Sequence, residues 1–220
     1  MEQLALDLGR PSAPPETVIA RSNEAAYAML EDWPRWPHPV VMVRGPSGSG
    51  KTHLARVFVE RTGGILVPGA DLADEDAISL AEGPVAVDDI EAVDERSLFH
   101  LVNAVKAAGT TLLLTGGTRA TLTLADLASR LRAVPEVALD APDDWLLRRV
   151  LVDAFLERQL PAEPAVVNFL LTRMERTLHA AREIVEDMDR RGLAEGKGPT
   201  RPLAARVLRL SGSPSGDIVP

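Results

Sequence analysis

The 220-residue chain contains no cysteine, which excludes disulfides and thiolate metal sites. Its histidines, His38, His53, His100 and His179, are scattered without metal-ligand spacing and read as surface or packing residues. No run approaches the roughly eighteen apolar residues that a membrane span needs, and the first residues lack the apolar stretch of a signal peptide. A cytoplasmic protein with no membrane partner is the expectation. Long Lys/Arg runs are absent as well, and the formal net charge is −8. That argues against an autonomous nucleic-acid binder, whose affinity would rest on phosphate neutralisation, and leaves DNA contact only through a partner. What remains is an ordinary globular mix, 45% hydrophobic and 25% charged, long enough for one good-sized domain with a small appendage.

Against that background one stretch stands out, Gly45-Pro46-Ser47-Gly48-Ser49-Gly50-Lys51-Thr52. It fits the P-loop pattern G-x-x-x-x-G-K-[ST] and has the flanks a P-loop requires. The apolar run Val40–Val43 before it reads as a buried strand, and Leu54, Val57 and Phe58 after it fall at helical spacing. Gly48 and Gly50 let successive backbone N–H groups turn toward the β- and γ-phosphates of ADP or ATP, aided by the positive end of the helix that follows. Lys51 would bridge those phosphates and Thr52 would hold Mg²⁺. The competing reading is a glycine-rich strand-to-helix turn with no ligand.

The rest of the α/β pattern supports the first reading. Ile65–Val67 is a second strand and Asp71–Ala81 reads as a helix. The strand Val85–Val87 then ends in Asp88-Asp89, the Walker B arrangement, with Asp88 near Mg²⁺ and Asp89 orienting a hydrolytic water. Alone, that pair reads equally as a turn that caps a helix. Asp94 caps a helix with Leu98, Leu101, Val102 and Val105 on one face, and Thr110–Thr115 is the next strand. Thr115 stands where a P-loop ATPase often places a polar sensor of the γ-phosphate. A helix over Leu124–Leu131 and a strand over Val134–Leu139 complete a five-stranded parallel α/β sheet. Upstream, a helix over Ser22–Trp33, capped by Ser22 or Asn23, is followed by Trp33 and Trp36, placed as core cover near the nucleotide.

Beyond Pro142 the periodicity is helical only, through about Leu210. The expected organisation is a tail over 1–16, an α/β nucleotide-binding domain over 17–141, a small all-helical domain over 142–210 and a Gly/Pro/Ser tail over 211–220. In the first tail Leu4, Leu6 and Leu8 need an explanation. They are either an edge strand of the domain or a short docking peptide, with Gln3 hydrogen-bonded and the leucines as anchors.

The layout resembles the AAA+ ATPases of the DnaA branch, most closely the short DnaA-like regulators of the Hda (HdaA) group. The resemblance is carried by Val18–Ala26, Trp33-Pro34-Arg35-Trp36-Pro37, the P-loop from Gly45 to His53, Val87–Glu91, Ser129-Arg130-Leu131 and Glu175-Arg176-Thr177-Leu178. It implies an AAA+ module with a helical lid, Arg130 as an arginine finger and Arg176 as the sensor II arginine. It implies that Gln3-Leu4-Ala5-Leu6-Asp7-Leu8 is a peptide for the β sliding clamp (DnaN), and that the partner is the initiator DnaA, whose ATP hydrolysis this group stimulates. No helix-turn-helix domain is expected after the lid, and the family leaves room for a homo-oligomer. Gly116-Gly117 departs from the family at sensor I, so intrinsic ATPase is expected to be weak. The rival readings are a self-sufficient P-loop ATPase such as a helicase loader, and a pure adaptor with nucleotide as a structural prop.

Overall fold

The computed structural model describes residues 18–118 and 122–210. The expected docking peptide, Gln3 to Leu8, and both expected tails, 1–16 and 211–220, therefore lie outside the described residues.

The strands are β1 (Val40–Arg44), β2 (Ile65–Pro68), β3 (Val85–Asp88), β4 (Leu112–Gly116) and β5 (Glu136–Ala138). All are parallel, in the order β2-β3-β4-β1-β5. The sheet is covered on both faces, so its central strands are apolar throughout rather than alternating. Successive side chains still point to opposite sides. Val40 and Met42 join Val85, Val87, Leu112 and Leu114 in one core layer. Val41, Val43, Ala86 and Leu113 join Leu54 and Phe58 in the other.

The helices of this half are α1 (Glu24–Glu31), α2 (Lys51–Thr62), α3 (Ala77–Leu80), α4 (Glu95–Ala108) and α5 (Ala125–Leu131). Asp94 accepts a hydrogen bond from Ser97 N (2.9 Å) and starts α4, whose Leu98, Leu101, Val102 and Val105 are buried as their spacing requires. The helix expected over Asp71–Ala81 is instead a 3₁₀ stretch, Gly69–Asp74, and the one-turn α3. Glu75 is extended between them, and Asp76 accepts from Ser79 N (3.0 Å) to cap a new helix, so the pattern of one helix is broken by a cap in its middle. Asn23 precedes α1 without capping it. Its side chain turns back, accepting from Ala20 N (2.7 Å) and donating to Val18 O (2.9 Å).

Trp33 and Trp36 are packing residues, but not near the P-loop. Trp36 stacks on Phe58 (centroids 5.3 Å apart), and Trp33 donates to Thr111 Oγ1 (3.1 Å), just before β4 begins. That contact places Trp33 at the amino ends of the strands, whereas the P-loop leaves a carboxyl end.

From residue 144 the chain is helical: α6 (Asp144–Glu157), α7 (Pro164–Leu171), α8 (Leu178–Glu195) and α9 (Arg201–Leu210). They bury their own core, centred on Leu147, Leu151, Leu170, Val185, Met188 and Val207. Ala20 and Val18 pack with this helical core and not with the sheet, so the residues opening the expected 17–141 domain attach to the other half. The segment that Asn23 clamps thus ties the two halves together. Among the described residues no helix is long and apolar enough to cross a membrane.

Candidate functional site

A cleft of about 730 Å³ lies where the carboxyl ends of the strands meet the helical half. Open α/β sheets bind ligands at this end. The P-loop forms its floor. Gly48 (φ 73°) and Gly50 (φ 102°) adopt left-handed backbone that other residues resist, and Gly50 is the N-cap of α2. Ser49 lines the cleft, is 3% exposed, and its Oγ has no hydrogen-bond partner among the described residues. A buried hydroxyl left in that state suits a site built around a polar ligand. Lys51 Nζ donates to Gly45 O and Pro46 O (both 2.9 Å), folding back over its own loop.

Asp88, at the end of β3, is held from two sides. Thr52 Oγ1 donates to its Oδ2 (2.7 Å) and Thr115 Oγ1 donates to its Oδ1 (2.5 Å). The strand order explains this, since β4 lies between β1 and β3. Thr115, expected at the place of a polar γ-phosphate sensor, is fully buried behind Asp88. It also accepts from Asp89 N (3.0 Å), so its hydroxyl is committed to shaping the acidic turn. Thr115→Val, nearly equal in volume, should leave that amide unpaired and lower stability by about 1–3 kcal/mol. A thermal melt checks this, with Thr115→Ser expected to stay near wild type.

Asp89 has positive φ (67°), a strained conformation for a residue with a side chain. It faces the cleft beside Glu91, and the hydrogen bond between them, followed by burial, pushes the Asp89 carboxyl above the usual range. Glu91 in turn accepts from Gly117 N (2.5 Å). A Cβ at Gly117 would come within 2.8 Å of Glu91 Oε1, and one at Gly116 within 2.7 Å of Ile90 Cγ1. The two glycines at the sensor I position therefore make room for Ile90 and Glu91, a role the sequence reading missed.

Among the described residues no group of three or more His, Asp or Glu side chains is arranged to hold a metal unaided. Thr52 and Asp88 nevertheless fit Mg²⁺, which is bound by one or two protein oxygens with the balance from phosphate and water.

The helical half closes the cleft through α8. Thr177, its N-cap, sits over the P-loop so closely that a Cβ on Gly48 would lie 2.2 Å from Thr177 Cγ2, and Leu178 N donates to Gly48 O (3.2 Å). Arg176, expected to face the nucleotide from this helix, precedes the cap and points elsewhere. It pairs with Asp144 (2.6 Å) and donates to Pro142 O (3.5 Å), and it does not line the cleft. Arg182 does line it from α8, missed in the sequence because its facing depends on how α8 meets Gly48. His53, which follows Thr52, also lines the cleft. Burial and then the charges of Arg182 and Arg56 push its pKa down to about 4, so it is neutral at physiological pH. Tyr27 completes that wall, its pKa pushed up to about 12 by burial, with Arg182 opposing.

Arg130 belongs to none of this. It is exposed on α5, outside the cleft, with no carboxylate partner among the described residues. Its guanidinium lies 5.0 Å from the centroid of the Phe99 ring on α4, a contact worth about 0.5–1 kcal/mol at an exposed site. Glu95, also on α4, fixes the start of α5 by accepting from Thr123 N (2.8 Å) and Leu124 N (2.5 Å). Two side chains of α4 thus set the direction in which Arg130 is presented.

The strand order, the P-loop, the acidic turn at β3 and the helical C-terminal half define the class: an AAA+ fold related to that of DnaA. Domain III of the replication initiation protein DnaA from Thermotoga maritima is similar to the chain with a TM-score of 0.76 and 17% identity, over 90% of this chain and 95% of that one. AMPPCP-bound DnaA from Aquifex aeolicus is similar with a TM-score of 0.69 and 15% identity, over 93% and 71%. At such identities the likeness establishes the fold alone. In sequence, the chain is 30% identical over 193 residues to an uncharacterized protein of Haemophilus influenzae, a match that covers 78% of this chain and 82% of that protein. The chain belongs to the family of that Haemophilus protein. No protein-family model matches it.

Proposed function

We propose that the chain is a regulatory AAA+ protein of the Hda type. It binds ADP or ATP with Mg²⁺, docks on the β sliding clamp (DnaN) through Gln3, Leu4, Leu6 and Leu8, and stimulates ATP hydrolysis by the initiator DnaA through Arg130. DNA is met only through these partners. The observation that carries the reading is the separation of two sites on one module. A P-loop cleft is assembled on one side, and an arginine is presented outside that cleft, with no carboxylate partner among the described residues and supported by Phe99 and Glu95.

Within the cleft, the P-loop amides and Lys51 serve the phosphates, Thr52 and Asp88 hold the metal, and Asp89 faces the water side. Bound Mg²⁺ supplies charge neutralisation at the phosphates. Arg130 contributes nothing to the chain's own nucleotide. Facing the γ-phosphate of a neighbouring ATPase, it would stabilise the charge that develops there in the transition state.

The docking step is tested apart from the cleft. Each enclosed leucine of the peptide contributes roughly 1.5–3 kcal/mol. Replacing Gln3, Leu6 and Leu8 together with alanine should abolish capture by the purified clamp and leave the melting temperature unchanged. A melting temperature several degrees lower would make the segment a strand of the fold and end the docking proposal.

A further inference from the structure

The contact between α8 and the P-loop decides which residues of the helical half face a ligand. With Thr177 and Leu178 resting on Gly48, the face of α8 carrying Leu178 and, one turn on, Arg182 looks into the cleft. Arg176 lies before the cap and is held outside by Asp144 and Pro142 O. Arg182 has no carboxylate or carbonyl partner among the described residues, and Glu183 beside it is engaged with His179 (3.2 Å). Across from Arg182 are His53 and Arg56 on α2, the helix whose first turn continues the P-loop. Arg56 lines the same cleft and adds a second positive charge to that wall. Among the described residues no carboxylate forms an ion pair with Arg182 or Arg56.

We propose that Arg182, and not Arg176, is the cation by which the helical half holds the phosphate chain of a bound nucleotide. The proposal rests on the nucleotide-binding reading and assigns that site a residue from a position the family resemblance does not mark. It also gives the closure of α8 over the P-loop a function, since the same helix would contact the P-loop through Leu178 and the ligand through Arg182.

Isothermal titration of the full chain with ADP and with adenosine tests it, using wild type, Arg182→Ala, Arg182→Lys and Arg176→Ala. Arg182→Ala should weaken ADP by about ten- to a hundredfold, the loss expected for one charge-assisted contact. Adenosine affinity should not change, Arg182→Lys should recover part of the loss, and Arg176→Ala should bind ADP like wild type. The proposal is overturned by ADP binding that withstands Arg182→Ala, or by a loss confined to Arg176→Ala. Equal weakening of adenosine and ADP would put Arg182 on the base and overturn it too. A wild-type chain that binds no ADP would overturn the nucleotide reading itself along with this one.

Discussion

Arg130→Ala is expected to abolish stimulation of DnaA ATP hydrolysis on clamp-loaded DNA, a loss of about 10³–10⁵ in rate if the finger supplies what such fingers supply elsewhere. The size follows from where the charge acts. Developing charge on a transferring phosphoryl group is stabilised by a donor already in position, in a site from which water is excluded. Position is what α4 provides, through the Phe99 ring beneath the guanidinium and Glu95 at the start of α5. Clamp capture and nucleotide binding should survive the substitution, because Arg130 lies outside the cleft. Arg132 is exposed near the end of the same helix, and Arg132→Ala is the control for a general loss of positive charge. Stimulation that survives Arg130→Ala and fails with Arg132→Ala would move the finger by two residues. Survival in both would mean activation through another contact.

How much of this was legible in the sequence depended on whether the determining contact was local. The P-loop is legible because eight consecutive residues and their two flanks carry it. The strands are legible because β1 and β4 are buried on both faces and leave continuous apolar runs. Asp88 was found as the end of such a run. The hydrogen bond from Thr115 to Asp88 was not, since it depends on β4 lying beside β3 and next to β1. Sheet order is a tertiary fact. The choice between Arg176 and Arg182 turns on another, the seating of Thr177 against a glycine far away in the chain. The helix drawn over Asp71–Ala81 failed for a local reason. Leu72 and Leu80 are buried as a helical stripe would bury them, but Asp76 between them spends its side chain on Ser79 and starts a new turn. Helical spacing and a cap gave conflicting signals there, and the cap won.

Lys51→Ala should separate ligand response from folding. In the described structure the Lys51 ammonium satisfies two loop carbonyls, Gly45 O and Pro46 O, and its charge also reaches Glu91. Losing the side chain should alter the unliganded melting temperature little, because a loop carbonyl can turn to water at a cost below about 1 kcal/mol. The liganded state is different. Two hydrogen bonds from an ammonium to phosphate oxygens, each worth about 1.5–3 kcal/mol, have no replacement in the variant. ADP and ATP affinity should therefore fall by at least a hundredfold. With nucleotide at about 100 times its dissociation constant, wild type gains about 2.7 kcal/mol of stability by mass action. For a chain of this length that is a rise of roughly 5–10 °C in melting temperature. Lys51→Ala should show almost none of that rise at the same concentration. A variant that rises as wild type does would remove Lys51 from the phosphates. A wild-type melting temperature indifferent to millimolar ADP and ATP would leave the glycine turn as a strand-to-helix connection without a ligand, and the cleft would need another occupant.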